Sequence, residues 1–345
     1  MNLFILIILC IIFMVISIIS TAFIRKYSIN NNLYDIPNER SSHRVPKPKG
    51  GGIPIVGLLI FTIVTLFFYN MINAEITLSM LIGLILVAVA GLIDDYKNLS
   101  VSIRVIIYLI SALLSLYFIG GLESAFIGEY SYYFGGAGYC IGVLFLVWLT
   151  NLYNFMDGID GFAGVQTICV SIFCCFMFFM SSQYSLLIIM LCLASSTFGF
   201  LYWNWEPAKI FMGDVGSCSI GFFFGLLSIY TQNEEILSIG VWLILLAPFI
   251  GDATFTLLMR ILSNEEWYRA HNSHAYQKLY RLGLSHHRLS LNLLLLNVLL
   301  IWPLAYIAST YKNIELFMIV LSYISTAIIW VIAQSKYRNS IQSSS

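Results

Sequence analysis

Charge is what this sequence has least of. Only 10% of its 345 residues are Asp, Glu, Lys or Arg, where a soluble domain carries about 25%. With 59% of residues hydrophobic, a water-soluble chain would have too little polar surface to face solvent, which excludes a soluble globular protein. Neither sign is in excess: the formal net charge is zero, so bulk charge points to no partner, and no nucleic-acid partner is expected. The seven cysteines lie in or at the ends of apolar runs, without paired spacing in polar loops. That excludes a disulfide framework and a cysteine metal site and leaves them as small apolar residues. No basic segment precedes the apolar run that starts at Leu3, whereas Arg25 and Lys26 follow it. A cleaved signal peptide has the opposite order, so the run is expected to stay as a helix with its N-terminus outside. No internal repeat is visible, and the only low-complexity stretch is the Ser-rich tail. One membrane domain over residues 1–345, with no soluble appendage, is expected.

What the sequence has in quantity is apolar runs near twenty residues long, enough to cross a bilayer. The expected architecture is all-α and polytopic, with about eleven transmembrane helices at 3–24, 52–70, 76–93, 104–121, 139–155, 162–181, 185–203, 215–231, 237–260, 289–309 and 314–334. With the N-terminus outside, sixteen of the seventeen Lys and Arg fall inside, and only Lys312 falls outside. The positive-inside rule then sets the orientation, with the C-terminus inside. All seven aspartates also fall inside or near the inner end of a span. On the outer side, Ala125–Ile127 and Tyr130–Phe134 are short β-prone runs around Gly128 and Glu129, which allow a small hairpin.

Five polar constellations gather on the inner face. Asp94 and Asp95 end the third span; adjacent carboxylates at a membrane boundary are costly unless paired, hydrated or metal-bound. Their repulsion would raise one pKa and suit proton transfer. Asn151 to Gly161, with Asn154, Asp157, Gly158 and Asp160, is an oxygen-rich, glycine-interrupted loop without Lys or Arg, able to hold a hard cation or a nucleobase. Lys209 to Ser217, with Phe211, Gly213, Asp214 and Gly216, opens the eighth span. Free N–H groups there could take phosphate, and a bridging Mg²⁺ would reconcile Asp214 with that anion. The long inner loop carries Arg269, His271, His274, Lys278, Arg281, His286, His287 and Arg288, a set better suited to an anion than to zinc. His271 and His274, three residues apart, would face the same way on a helical turn. The first loop, with Asp35, Arg40, His43, Arg44, Lys47 and Lys49 before Gly50-Gly51-Gly52, suits phosphates or anionic headgroups. Asp252, inside the ninth span, is either functional by default or a structural polar contact.

Clustered acids, an oxygen-rich loop and basic loops on one side describe a site for a metal-bound polyphosphate beside a membrane. Eleven spans would also suit a secondary transporter. Transporters, however, place ionisable residues near the midplane in paired halves, whereas these acids sit at the inner boundary.

Taken in order, Ser42-His43-Arg44 to Gly52, the Asp94-Asp95 pair, Asn154 to Gly161, Phe211 to Ser217 and the histidine loop resemble the polyprenyl-phosphate N-acetylhexosamine-1-phosphate transferases. This is the WecA–MraY superfamily, glycosyltransferase family 4. The resemblance covers nearly the whole chain. It implies a multi-pass enzyme of the bacterial inner membrane, with N-terminus and hairpin periplasmic and the C-terminus and active site cytoplasmic. It would move N-acetylhexosamine 1-phosphate from a UDP-sugar to undecaprenyl phosphate, releasing UMP, with Mg²⁺ (or Mn²⁺) as cofactor and membrane lipids and a second copy of the chain as further partners. Asp214 and Asp157 would hold the metal. Asp94 and Asp95 would handle the lipid phosphate, Asp94 as base. Asn154 and Asp157 would position the diphosphate, Gly158 to Asp160 would hold uracil and Phe211 would stack on it. His271 and His274 would bind diphosphate or sugar, and His43, Arg44, Lys47 and Lys49 the lipid phosphate.

Two departures bear on the branch. The muramoyl-pentapeptide branch, the peptidoglycan rival, usually carries Lys three residues beyond the second Asp, where this chain has Asn98. Its tight triple-His cluster is replaced by His271-Asn-Ser-His274. The stretch from Arg269 to Gln277 resembles the O-antigen-initiating members more closely. That implies lipopolysaccharide or other surface-glycan initiation, with UDP-GlcNAc as the default donor and a FucNAc- or QuiNAc-type sugar next.

Overall fold

The structure is a computed structural model, and it describes residues 3–37, 45–127, 130–266 and 271–344. The helices are α1 (Leu3–Asn30), α2 (Ile53–Phe68), α3 (Ala74–Lys97), α4 (Val101–Ile119), α5 (Ala137–Phe155), α6 (Phe162–Met180), α7 (Tyr184–Asn204) and α8 (Asp214–Asn233). They continue with α9 (Ile239–Leu245), α10 (Ala247–Leu262), α11 (Ala275–Arg281), α12 (His286–Leu296), α13 (Trp302–Thr310) and α14 (Glu315–Ser344). Nine helical stretches among the described residues are long and apolar enough to cross a membrane, and the bent α9–α10 pair makes ten. The sixteen-residue α2 is shorter. The chain is thus an all-α polytopic membrane protein, and each of the eleven expected apolar segments is helical.

Three differences from the expected spans have local causes. The ninth is broken at Leu246 and bends by 76° between α9 and α10. Pro248, at the start of α10, lacks an N–H and its ring would collide with a carbonyl of the preceding turn. The tenth contains a π-helical stretch, Asn297–Ile301, between α12 and α13. There Asn297 Nδ2 donates to Gln166 Oε1 at 2.9 Å, and Gln166 Nε2 donates to the Leu245 carbonyl at 2.9 Å. The third runs on to Lys97, where Asn98 takes a left-handed conformation (φ 49°) and closes it. Asp94 and Asp95 therefore lie in a helix rather than beyond one.

Helices in lipid have no hydrophobic reason to prefer each other over acyl chains, so small residues and interhelical hydrogen bonds hold them. Ser79 and Ser115 show this between α3 and α4. Each hydroxyl donates to the other's carbonyl, at 2.9 and 2.8 Å. The most enclosed helix is α8, packed between α3 and α5, with nearly every residue buried.

The polar connections sort to two ends of this bundle as the charge count requires. At one end, the segment joining α7 and α8 bonds those joining α1–α2 and α5–α6, through Gly51 N–H to the Phe211 carbonyl and Ala208 N–H to Asp160. At the other, Asn233 Nδ2 donates to the carbonyls of Ile119 (3.0 Å) and Gly121 (2.7 Å), and Ser238 bonds Glu315. The expected hairpin is there: β3 (Ser124–Ile127) pairs antiparallel with β4 (Tyr130–Tyr133) in register Ser124↔Tyr133 to Ile127↔Tyr130. A second short pair, β1 (Tyr34–Asp35) with β2 (Lys47–Pro48), lies in the α1–α2 connection.

Candidate active site

The acidic centre is assembled from four segments. Ser100 caps α4 only a few residues beyond Asn98. That short link folds Arg104 back onto the last turn of α3. Its guanidinium donates to Asp94 Oδ2 at 2.8 Å and to Asp214 Oδ2 at 3.4 Å. Asp95, one residue on, points elsewhere, since neighbours in a helix are splayed by about 100°. Its carboxylate accepts from the N–H groups of Asp214 (3.2 Å) and Val215 (3.4 Å). The pair thus diverges to two different partners instead of facing each other. Asp95 also occupies the first N–H groups of α8, which were expected to be free for phosphate. Lys49 completes the group, 3.4 Å from Asp35 and 3.9 Å from Asp95. Burial alone would lower the Lys49 pKa, but the charges of Asp35, Asp95 and Asp214 outweigh it and hold the ammonium above its ordinary value.

Glycine makes this convergence possible. Gly213, at φ +77°, precedes α8, and a Cβ there would stand 2.5 Å from Asp95 Oδ2. A Cβ on Gly52 would land on the backbone of Gly216. The first loop and the start of α8 are accordingly zipped: Phe211 N–H donates to the Pro48 carbonyl (2.9 Å), Gly51 N–H to that of Phe211 (2.9 Å) and Gly52 N–H to that of Met212 (2.8 Å). On the other flank Ser217 Oγ donates to Asn154 Oδ1 at 2.7 Å, tying the end of α5 to α8.

Asp157 follows α5, and no described residue donates a hydrogen bond to its carboxylate. Its surface is partly accessible, yet the surrounding protein withdraws most of the water that would stabilise its charge. That burial, with the charges of Asp95, Asp160 and Asp35, pushes its pKa well up. Among the described residues Lys49 pairs with Asp35 and Asp95, and Arg104 with Asp94 and Asp214, so these carboxylates outnumber the cations that meet them there. Among the described residues no three of His, Cys, Asp and Glu form a ready-made metal cage. Mg²⁺ seldom needs one. It keeps waters and is usually held by one or two carboxylates plus substrate phosphates. Hard oxygen donors, uncompensated negative charge and an unpartnered carboxylate all fit such an ion.

A match of residues 77–232 to the model of glycosyl transferase family 4 spans all of these acids except Asp35. A probable undecaprenyl-phosphate N-acetylglucosaminyl 1-phosphate transferase of Bacillus subtilis (strain 168) is 30% identical over 282 residues, 78% of this chain and 75% of that protein. The chain belongs to glycosyl transferase family 4. Phospho-N-acetylmuramoyl-pentapeptide-transferases are also similar. That of Wolbachia pipientis wMel is 34% identical over 57% of this chain and 65% of its own length, and that of Thermotoga petrophila 30% over 53% and 62%. The family is one of polyprenyl-phosphate sugar-phosphate transferases, and membership removes the transporter alternative.

In this family 4 chain the remaining expected site residues divide into groups. Gly158 packs over the Tyr276 phenol, whose hydroxyl donates to the Phe155 carbonyl at 2.8 Å. The oxygen-rich loop is thereby seated on the histidine loop. Asp160 is turned inward. Its Oδ2 accepts from Ala208 N–H at 2.9 Å and its Oδ1 lies 3.4 Å from His286 Nδ1. Burial would raise its pKa, but the His286 and Ala208 contacts prevail and hold the carboxyl below its usual range. Both contacts are structural ties. His271 and His274 do not share a helical turn, since His274 is the N-cap of α11 and the residues before it are not helical. Their rings nonetheless lie 5.0 Å apart. Asp252 serves structure as well: it accepts from the N–H groups of Ala275 (2.9 Å) and Tyr276 (3.3 Å) and so caps α11. Lys47 donates to the Ala208 carbonyl at 2.6 Å, away from the acids, while Lys49 sits among them. His43 and Arg44 lie outside the described residues.

Neither Arg104 nor Ser217 was given a role from sequence, Ser217 entering only as the end of a motif. Arg104 could have been: it is an ionisable residue at the start of a predicted span, one short loop from the Asp pair.

The raised pKa of Asp157 has a sign that can be checked. A carboxyl whose folded pKa exceeds its unfolded value of about 3.9 binds its proton more tightly in the fold. Its contribution to stability is full below pH 4 and is lost as pH rises through the folded value. Metal-free Asp157→Asn is therefore expected to match the parent in melting temperature near pH 4 and to exceed it increasingly towards neutrality. A difference that stays flat with pH would show that the Asp157 charge costs the fold nothing.

Proposed function

We propose that this chain transfers N-acetylhexosamine 1-phosphate, with GlcNAc as the first choice, from a UDP-sugar to undecaprenyl phosphate. UMP is released and synthesis of an O-antigen or other surface glycan begins. The observation that carries this reading is the convergence of Asp94, Asp95, Asp214, Arg104 and Lys49 at one end of the bundle, in a chain whose similarity to the Bacillus GlcNAc 1-phosphate transferase extends over 78% of its length. Placed by the positive-inside rule, that end faces the cytoplasm, where UDP-sugars are made.

In the reaction a phosphate oxygen of the acceptor bonds to the sugar-bearing phosphorus, and the bond from that phosphorus to the UMP oxygen breaks. Lys49 and Arg104 draw the two anionic reactants together. Asp94 takes the proton of any monoanionic acceptor; a phosphate monoester has its second pKa near 6, so this is a minority of molecules at neutral pH. Asp95, bonded to the start of α8, fixes the helix that carries Asp214. Mg²⁺ held by Asp214 and Asp157 would neutralise diphosphate charge. Asn154, fixed by Ser217, orients the diphosphate. Gly158 and Phe211 form the uracil seat, and His271 and His274 border the sugar.

Detergent-solubilised protein given undecaprenyl phosphate, Mg²⁺ and a panel of UDP-sugars tests the assignment by UMP release. Release with UDP-GlcNAc or a related deoxy sugar supports it. Release only with UDP-MurNAc-pentapeptide, the substrate class of the Wolbachia and Thermotoga relatives, transfers the chain to that branch. Phe211→Ala is expected to weaken UDP-sugar binding roughly tenfold, the scale of one base–aromatic stack, with acceptor binding little changed. Equal affinity would remove Phe211 from the uracil seat.

A further inference from the structure

Beside the acidic centre, and separate from it, the same end of the bundle carries a basic pocket of about 370 Å³. Arg25 from α1, Lys47 from β2 and Lys209 from the α7–α8 connection line it, together with Tyr34 and Pro207, and among the described residues no carboxylate does. Among the described residues none of the three cations forms an ion pair. They are held by neutral groups. Arg25 Nε donates to the Lys209 carbonyl at 3.2 Å and Lys47 to that of Ala208. The Lys209 ammonium lies 5.3 Å from the Trp203 ring and 5.6 Å from that of Tyr202. The Trp203 indole is fixed in turn by donating to the Ile18 carbonyl at 3.0 Å. The charge of Lys47 reaches Asp160, but that carboxylate is turned to Ala208 and His286.

A second feature lies below it. Between α1, α6 and α7 runs a groove of about 330 Å³, lined almost wholly by apolar groups, including Ile11, Met14, Ile172, Leu191 and Phe198. On α1, Ile11, Met14, Ile18, Ala22 and Arg25 recur at helical spacing and so share one face. On α7, Leu191, Ser195, Phe198 and Tyr202 do the same, and Phe198 and Tyr202 are exposed. The two stripes join groove to pocket. Met14 lies about 16 Å from Arg25 at 1.5 Å per residue, close to half of a hydrocarbon core about 30 Å thick. A basic pocket at headgroup depth and an apolar groove near the midplane, one leaflet apart on a shared seam, match a single lipid molecule.

We propose that the α1–α7 seam binds one anionic glycerophospholipid. Its phosphate sits on Arg25, Lys47 and Lys209, and one acyl chain lies along Tyr202 and Phe198 into the groove. The occupant is a structural or regulatory lipid and not the reacting acceptor, because the seam ends one leaflet deep and its cations are held by the Ala208 and Lys209 carbonyls and the Trp203 ring, while Lys49 is the lysine paired with Asp35 and Asp95. Lys47, expected from sequence to hold the acceptor phosphate, belongs to this pocket.

Native mass spectrometry of the full chain, titrated with palmitoyl-oleoyl phosphatidylglycerol, tests the site. One tightly retained molecule is expected, weakened roughly thirtyfold by Arg25→Gln combined with Lys209→Gln, on the scale of two cations at a membrane surface. Ser195→Phe, which fills the groove, is expected to weaken the same lipid while leaving retention of glycerol 3-phosphate unchanged. The two variants act at opposite ends, so misfolding of one leaves the other to decide. Equal retention of phosphatidylcholine, or insensitivity of phosphatidylglycerol to whichever variant folds, overturns the proposal. Competition by glycerol 3-phosphate at the affinity of the lipid would mark a free-phosphate site. Displacement by undecaprenyl phosphate at equal concentration would mark an acceptor site. Either result also overturns it.

Discussion

Asp214→Asn should abolish transfer and leave the fold intact. Asp214 is the first residue of α8, 3.4 Å from Arg104 and bonded through its N–H to Asp95. The amide keeps the shape and the backbone bond but removes the charge that would hold a divalent cation. Loss of one preorganised electrostatic group in a catalytic centre costs about 100- to 1,000-fold. Loss of a metal ligand should reach the upper end of that range. Stability should move the other way or not at all, because the substitution removes one of two carboxylates, Asp94 and Asp214, that meet the same Arg104 guanidinium. UMP release and melting temperature, measured on one preparation with and without Mg²⁺, separate the two effects. Turnover like that of the parent would remove Asp214 from the metal role. Loss of both activity and fold would make it a structural acid.

Gly52→Val should be the most damaging substitution in the first loop, although Gly52 bears no chemistry. A Cβ at Gly52 meets the Cα and N of Gly216, backbone atoms of the first turn of α8. Neither side can yield easily, since Gly52 N–H is bonded to the Met212 carbonyl at 2.8 Å. Overpacking commonly costs about 1–3 kcal/mol and occasionally more; with backbone on both sides, at least the upper end applies here. The converse substitution, Gly216→Ala, should be milder, because its Cβ meets the Met212 side chain first and only one backbone atom, the Gly52 Cα at 2.8 Å, whereas a Cβ on Gly52 meets two at 2.3 and 2.6 Å. The expected order of melting temperature in detergent is parent, Gly216→Ala, Gly52→Ala, Gly52→Val. If Gly52→Val melts like the parent, the first loop is not clamped to α8. The consequence for function is direct. The same clamp sets where Asp214 stands relative to Asp95 and Asn154, so the milder variants should lose activity out of proportion to their loss of stability.

Sequence alone determined the class of molecule, an all-α polytopic membrane protein. Apolar runs of bilayer length and the placement of all but one Lys and Arg on one side are linear properties, because a lipid environment forces each span to satisfy its own backbone. The family was legible for a related reason: Asn154 to Gly161 and Phe211 to Ser217 are contiguous, and a contiguous motif survives without knowledge of the fold. What depends on distance in space was not legible. The Asp pair read as two acids facing each other, but α3 runs on to Lys97 and splays them, one to Arg104 and one to the start of α8. Asp252 read as either a functional acid or a structural polar contact until α11 folded over it and took its oxygens as a cap. The lipid seam could not be read at all, since Arg25, Lys47 and Lys209 come from three distant segments. Pattern in sequence records what each segment must do by itself in a membrane. Only the tertiary structure decides which charges meet, because an electrostatic partner is chosen by a few ångströms of separation and not by position along the chain.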